Sequence, residues 1–347
     1  MNSSPIPTVD LELILVQTRE LWEEMRGQRV FITGGTGFFG CWLVESFCHI
    51  NRALGLGAQA TVLSRDPAKF AAKAPHLAYD PAIKMHEGDV RDFDFPAGEF
   101  RFVIHAATET TGAQTPDELH STILSGTARA LAFAAQSGVR KFLLTSSGAV
   151  YGPQPADITH LPESYVCAPD VANAYAVGKL AAERMCAEHQ QAARASGVEF
   201  EAKIARCWAF CGPHLPLDAH FAIGNFIGDA LAGRSISIAG DGTPRRSYLY
   251  ASDLTTWLWT ILFRAPALEP INVGSAYDVS IRELAEIVAA TLAPATPIHI
   301  AKQAVTSASI SRYVPSVARA EELLGLHATV DLTEAIRRTA EWHRRTV

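Results

Sequence analysis

The chain lacks several features that would assign it to a class at once. None of its apolar runs approaches the roughly 20 residues that a helix needs to cross a bilayer, and no charged-then-apolar segment opens it. Neither a membrane span nor an export signal is therefore expected. The six cysteines (Cys41, Cys48, Cys167, Cys186, Cys207 and Cys211) form no C-x-x-C pair. That argues against zinc-ribbon and dithiol motifs and leaves reduced core thiols in a cytoplasmic protein as the expectation. No run of Lys and Arg stands out against a net charge of −6, which argues against nucleic acid as the main partner. Internal repeats and low-complexity linkers are absent as well. His214 and His220 flank Asp218, but no further Cys or His stands at ligand spacing, so no metal is expected.

The 347 residues, 48% hydrophobic and 19% charged, suffice for a full core and read as a large α/β domain with a smaller one appended. Everything else is organised around Arg29 to Phe47. Val30 to Ile32 has the length of a buried strand, and Thr33 to Gly40 then packs four glycines into eight residues. Trp42, Leu43 and Phe47 begin a helical periodicity. Strand, glycine turn and helix in that order make a dinucleotide site. Gly34 and Gly35 permit the tight turn, Gly37 lets the backbone approach a pyrophosphate, and Gly40 lets the helix pack close on the sheet. The helix's free N–H groups then face the phosphate charge.

Before this stretch, residues 1–9 read as a loose tail. Leu11 to Met25 read as an extra helix with Asp10 as its N-cap. After it, Ala60–Leu63 makes a second strand ending in Ser64-Arg65-Asp66. An acid at this strand end holds the adenosine 2′-hydroxyl of NAD, whereas an arginine accepts the 2′-phosphate of NADP. Ser64 followed by Arg65 favours NADP, with Asp66 left as the alternative acid. A third strand ends at Gly88-Asp89, where the Asp89 carboxylate is placed to accept from an adenine amino group. Phe102–His105 runs into Ala106-Ala107, small residues against which a cofactor can lie. Glu118–Gln136 reads as a helix and Lys141–Ser147 as a buried strand. Strands alternating with helices in this way indicate a parallel, doubly wound sheet.

Tyr175 and Lys179 stand four apart at the start of the next helix, on one face. A lysine beside a phenol stabilises the phenolate and lowers its pKa, which makes the tyrosine a usable base.

Taken together, Thr33-Gly-Gly-Thr-Gly-Phe-Phe-Gly40, Gly88-Asp89, His105-Ala-Ala107, Ser146-Ser-Gly-Ala-Val-Tyr-Gly152, Tyr175-x-x-x-Lys179 and the Arg206 to Pro213 run resemble the extended short-chain dehydrogenases/reductases. The likeness is to the NAD-dependent epimerase/dehydratase family acting on nucleotide sugars, and it runs from about Arg29 to the C-terminus. It implies a Rossmann-type sheet over residues 28–205, with residues 1–27 as tail and extra helix. Residues 206–347 would be a smaller, mixed α/β substrate-binding lobe with segments returning to the sheet. Gly240–Asp253 resembles that lobe's hairpin and following helix.

The resemblance makes Tyr175 the catalytic acid/base, lets Lys179 hold the nicotinamide ribose, and has Ser147 hydrogen-bond the reacting hydroxyl or ketone. It implies a cofactor set of Gly34, Gly37, Phe38, Phe39, Gly40, Ser64, Arg65, Asp89, Val90, Ala106, Ala107, Tyr175 and Lys179. Arg246 falls where the family binds a nucleotide diphosphate, with Arg245 beside it, and Asn225 matches a position that touches the substrate phosphate. The partner implied is a nucleotide-diphosphate sugar, with a homodimer formed through the helices of Glu118–Gln136 and Tyr175–His189. Ile123 and Ala209 replace family asparagines. Gly148-Ala149 stands where dehydratases carry Asp-Glu and decarboxylases a glutamate. Glu109 is the nearest unassigned carboxylate. The function expected is a nucleotide-sugar epimerase. The alternatives are an NADPH-dependent 4-keto-sugar reductase and, behind it, a 4,6-dehydratase or a non-catalytic dinucleotide sensor.

Overall fold

The apolar run before the glycine turn becomes β1 (Arg29–Thr33), the strand at the centre of the main sheet. The computed structural model describes residues 4–108, 115–219, 221–303 and 310–346. Within these, β1 is followed by β2 (Gln59–Ser64), β3 (Ile83–Glu87), β4 (Phe102–His105), β5 (Lys141–Ser147), β6 (Glu201–Cys207) and β7 (Phe210–Cys211). Then come β8 (Ile236–Ile238), β9 (Arg245–Ser247), β10 (Leu249–Tyr250), β11 (Pro270–Val273), β12 (Asp278–Ser280), β13 (Ile298–Ile300) and β14 (Arg312–Tyr313). The α-helices are α1 (Thr8–Thr18), α2 (Phe38–Leu54), α3 (Pro67–Lys73), α4 (Pro75–Ala78), α5 (Pro116–Gln136) and α6 (Ala174–Ala195). The later ones are α7 (Ala222–Leu231), α8 (Ala251–Arg264), α9 (Ile281–Leu292), α10 (Ala318–Leu324) and α11 (Leu332–Thr346).

Seven strands form one parallel sheet in the order β11-β6-β5-β4-β1-β2-β3. This is the doubly wound Rossmann arrangement expected from the sequence. Helices cover both faces, so the central strands are buried beyond their first residues and carry Val, Ile, Phe and Leu runs through their middles. Strand order reverses between β1 and β4, which opens a crevice at their carboxyl ends. The register sets Thr33 opposite His105, Ser64 opposite Glu87 and Ser147 opposite Cys207. The glycine turn, Ser64, Gly88, Ala106 and Ser147 therefore emerge along one edge of the sheet.

Two local expectations are corrected. The N-terminal helix forms, continuing as a 3₁₀ segment over Arg19–Met25, but Asp10 is not its cap. Helix α1 begins at Thr8, and Asp10 is fully buried, accepting from Tyr250 Oη at 2.8 Å and pairing with Arg338 of α11. Burial raises its carboxyl pKa while Tyr250 and Arg338 pull it back. The whole N-terminal segment is sealed on by Trp22, whose ring meets Trp259 of α8 at 4.7 Å; burying an aromatic of this size contributes about 2–3 kcal/mol.

The second correction concerns the hairpin expected within Gly240–Asp253: the helix after it forms as α8, but the strands before it do not pair with each other. Strand β9 pairs antiparallel with β12 and parallel with β14, while β10 pairs with β7. The Asp241 carboxylate accepts from Thr243 N at 3.0 Å, and Gly242 adopts φ +79°, so the chain turns before β9 and delivers it to another partner. Chain after residue 206 is shared between two bodies. β11 joins the main sheet, and α8 packs on β5 and β6. The small pairings β8/β13 and β9/β12/β14, with α7 and α9, build the lobe above the crevice.

Candidate active site

A cleft of about 1210 Å³ lies over the crevice, closed above by the lobe. Its floor is the glycine turn. Gly34 has φ +72°, and a Cβ there would lie 2.5 Å from Ala106 O; one on Gly40 would lie 2.2 Å from Gly34 O. Gly35 lacks positive φ and is needed instead for contact with Val62, where a Cβ would sit at 2.5 Å. Gly37, the N-cap residue of α2, differs from all three: a Cβ there meets nothing closer than 3.5 Å. Protein packing does not demand glycine at 37, and the open space over it faces the amino end of α2. That cradle fits a pyrophosphate approaching the backbone.

Cations gather at the β2 end, where Arg65, Lys69, Lys73 and Arg91 line the cleft. Ser64 is buried and its Oγ accepts from Asp66 N at 3.2 Å. Asp66 caps α3, accepting from Lys69 N at 2.8 Å. Asp89 lines the cleft, but its carboxylate is paired with Arg91 at 2.8 Å, which holds it below the usual carboxylate range. Val90 sits beneath α5, where a Cβ on Gly126 would come within 3.0 Å of it. Ala106 and Ala107 lie along the wall, fixed from behind by the buried His105. His105 Nδ1 meets Thr33 Oγ1 at 2.8 Å and Nε2 meets Thr127 Oγ1 at 3.2 Å. Burial pushes the His105 pKa down to about 3, so the ring is neutral.

At the other end, α6 enters through Asn173, whose side chain accepts from Ala176 N at 3.1 Å. Tyr175 falls in its first turn and Lys179 one turn later. The Lys179 ammonium lies 5.8 Å from the Tyr175 ring centroid and donates to Thr108 Oγ1 at 2.7 Å and Thr145 O at 2.8 Å. Burial pushes the Lys179 pKa down to about 8 and that of Tyr175 up to about 12, the latter opposed by the Ser147 hydroxyl. The lowering of the phenol pKa expected from a neighbouring lysine is opposed by the burial of both groups. Each charge is costly there, and a phenolate becomes favourable only alongside the ammonium or another cation.

Ser147 ends β5, and its Oγ accepts from Ala149 N at 3.1 Å. Behind it, Glu183 of α6 takes the Ser146 hydroxyl and holds Arg206 of β6 by two bonds of 3.0 and 2.7 Å, which pins the helix to the strand end.

The family model for the NAD dependent epimerase/dehydratase family matches residues 30–274. The chain belongs to that family, whose members are enzymes. Among curated relatives, UDP-glucuronic acid decarboxylase 3 of Arabidopsis thaliana is 32% identical over 312 residues, covering 89% of this chain and 86% of its own. Two solved structures are also similar. A NAD-dependent NDP-hexosamine 5,6-dehydratase involved in tunicamycin biosynthesis is 26% identical, with a TM-score of 0.72 over 91% of this chain and 97% of its own. A UDP-galactose 4-epimerase is 25% identical, with a TM-score of 0.71 over 92% of this chain and 99% of its own.

Several expected residues fall elsewhere than the family motif suggested. Asn225 is half-buried on the second turn of α7 and does not line the cleft; Phe221, Ala222 and Ile223 do. Arg246 lines the cleft, while Arg245 is engaged by Asp278 and Glu283. Ile123 is buried between α5 and α6, where a Cβ on Gly178 would lie 3.1 Å from its Cδ1. Glu109 and His220 lie outside the described residues. His214, in a left-handed backbone (φ +69°), packs on Trp342 at 4.5 Å, and among the described residues no group of His, Cys, Asp and Glu could hold a metal.

Sequence reasoning missed Thr108, Glu183, Trp208 and Tyr313. Glu183 had a signal, since it continues the Tyr175–Lys179 face by one more turn. Trp208 and Tyr313 had none, because their places depend on how the lobe folds back. The Trp208 ring lies 4.4 Å from that of Tyr313 and shares Asn272 Oδ1 with Tyr151. A Cβ on Gly148 would come within 2.6 Å of that indole.

Proposed function

We propose that the protein is a nucleotide-sugar epimerase working through transient oxidation of one sugar carbon, the 4-position being the expected one. The observation that carries the reading is the chemistry left out of the cleft. Asp89 is the only carboxylate among the described residues lining it, and Arg91 already holds that group. Beside Ser147, the space an acid would need at 148 is filled by Trp208 and Tyr313. Elimination of water requires an acid and a base near the oxidised carbon, and the described residues supply neither as a carboxyl group.

The residues present suit proton transfer at a single oxygen. A bound nicotinamide, NADP by preference, supplies the acceptor and donor of a hydride. Tyr175 takes the proton of the sugar hydroxyl as the C–H bond is oxidised and returns it when the ketone is reduced. The Ser147 hydroxyl donates to the oxygen while it carries negative charge, and the ammonium of Lys179, anchored on Thr108 and Thr145, stabilises the phenolate. Turnover of the ketone between the two steps inverts the carbon. Arg246 offers forked donors to the diphosphate. A homodimer through α5 and α6 completes the proposal.

The cations at the β2 end favour one second reading, a 4-keto-sugar reductase consuming NADPH. Assay of purified protein against a panel of UDP- and dTDP-hexoses tests both. Epimer formation without net cofactor turnover supports the epimerase, and stoichiometric NADPH oxidation supports the reductase. Tyr175→Phe should keep the fold and cofactor binding and lower turnover about a hundredfold or more; near-normal activity in that variant would remove Tyr175 from the mechanism.

A further inference from the structure

We propose that Thr108 is a positioning residue that keeps Lys179 charged at working pH and leaves its one remaining hydrogen for the cleft. The inference rests on the reading of Lys179 as the cation that supports Tyr175.

Thr108 stands three residues beyond the end of β4, where it continues the wall of Ala106 and Ala107 and lines the cleft. Strands β4 and β5 are neighbours, with His105 opposite Leu144, so the chain leaving β4 and the end of β5 emerge next to each other. Lys179 reaches both from α6. Its ammonium donates to Thr108 Oγ1 at 2.7 Å and to Thr145 O at 2.8 Å. The Thr108 hydroxyl gives its own proton to Ala107 O at 2.7 Å.

Counting donors and acceptors fixes the roles. A threonine hydroxyl has one proton and two lone pairs, and an ammonium has three hydrogens and no lone pair. The Thr108 proton is engaged by Ala107 O, so the hydroxyl meets the lysine as an acceptor, which favours the charged amine over the neutral one. Two ammonium hydrogens are then held at the sheet, and the third is left for the cleft, where the Tyr175 ring centroid lies 5.8 Å away. The titratable groups around the ammonium supply little free charge. Glu183 of α6 is already bound by Ser146 and Arg206. Burial pushes the Cys207 thiol of β6 and the Tyr175 phenol up to about 12 and the His105 ring of β4 down to about 3. Among the described residues, the ammonium is therefore held mainly by two neutral acceptors. Thr145 contributes a backbone carbonyl, so Thr108 is the acceptor that a substitution can remove.

The test is urea unfolding of the full-length protein at a series of pH values, each form being compared with its Lys179→Met counterpart to isolate the lysine. In the parent, the stability due to Lys179 should begin to rise at about pH 8, where the folded lysine loses its proton and the unfolded one keeps it. A hydrogen bond to a charged group corresponds to about one to two pH units. Thr108→Val, nearly the same shape without the hydroxyl, is expected to bring that onset down by about one unit or more. Thr108→Ser should restore it, and Thr108→Ala serves if Thr108→Val folds poorly. With Lys179→Met in place, Thr108→Val should leave the pH dependence unchanged, because Thr108 acts through the lysine. Turnover of Thr108→Val on the hexose that the panel identifies should fall about fivefold further at pH 8 than at pH 6, as fewer molecules carry the charged lysine. An unchanged onset in Thr108→Val, or a loss of turnover equal at the two pH values, would overturn the proposal while leaving the epimerase reading in place. A parent protein with no Lys179-dependent rise would overturn both the proposal and the reading of Lys179 as a buried cation.

Discussion

Replacing Lys179 by Met should make the cofactor-free protein more stable at neutral pH while removing its activity. The ammonium is buried, and burial pushes its pKa from the ordinary 10.5 down to about 8. At about 1.4 kcal/mol per unit, holding that charge inside the fold costs about 3 kcal/mol at pH 7. Met has similar volume and carries no charge, but it forfeits the bonds to Thr108 Oγ1 and Thr145 O, together about 1–2 kcal/mol. The variant is thus expected to be about 1–2 kcal/mol more stable at pH 7. The pH dependence follows from proton counting. Between about pH 8 and 10.5 the unfolded lysine keeps its proton and the folded one has lost it, so the parent gains stability as pH rises through that window. The variant has no such gain, so its advantage should shrink across the window and reverse above it. Urea unfolding at a series of pH values, with m unchanged, measures this directly. A variant less stable at pH 7, with a difference from the parent that stays flat between pH 8 and 10.5, would refute the claim that Lys179 is held charged against its desolvation.

Two further outcomes are expected. Arg65→Ala should weaken NADP binding about tenfold with little effect on NAD, by calorimetry; a preference for NAD in the parent protein would move the determinant to Asp66. Glu183→Gln removes the charge that compensates the buried Arg206 and should cost about 3 kcal/mol or more in denaturant unfolding. A loss below about 1 kcal/mol would show that the pair does not pin α6 to the sheet.

What the sequence disclosed depended on how local each signal was. Strands β1, β4 and β5 were legible as short apolar runs, and the glycine turn as spacing, because burial on both faces keeps the middle of such strands apolar and confines polar residues to their ends. Tyr175 and Lys179 were legible because a helix converts a spacing of four into a shared face. Asp10 was misread because a carboxylate before an apolar stripe looks like a cap, and only the return of β10 and α11 supplies Tyr250 and Arg338 to bury it. The supposed hairpin failed for a related reason: strand periodicity does not say which partner a strand takes, and β9 takes β12 and β14. Tyr313 was invisible because it is separated from Gly148 by 165 positions and comes to lie over it only once β14 has paired. Gly148, read as the loss of an acid, proves also to be the opening through which that tyrosine arrives.

The central claim is that chemistry stays at one carbon. Incubation with UDP- and dTDP-hexoses and with a UDP-hexuronate in deuterated water, followed by mass analysis of the products, tests it most directly. The expected result is a product of unchanged mass, epimeric with its substrate and carrying no solvent deuterium on carbon, because the hydrogen removed returns to the same position. A product lighter by one water with deuterium beside the oxidised carbon, or one lighter by carbon dioxide, would contradict it.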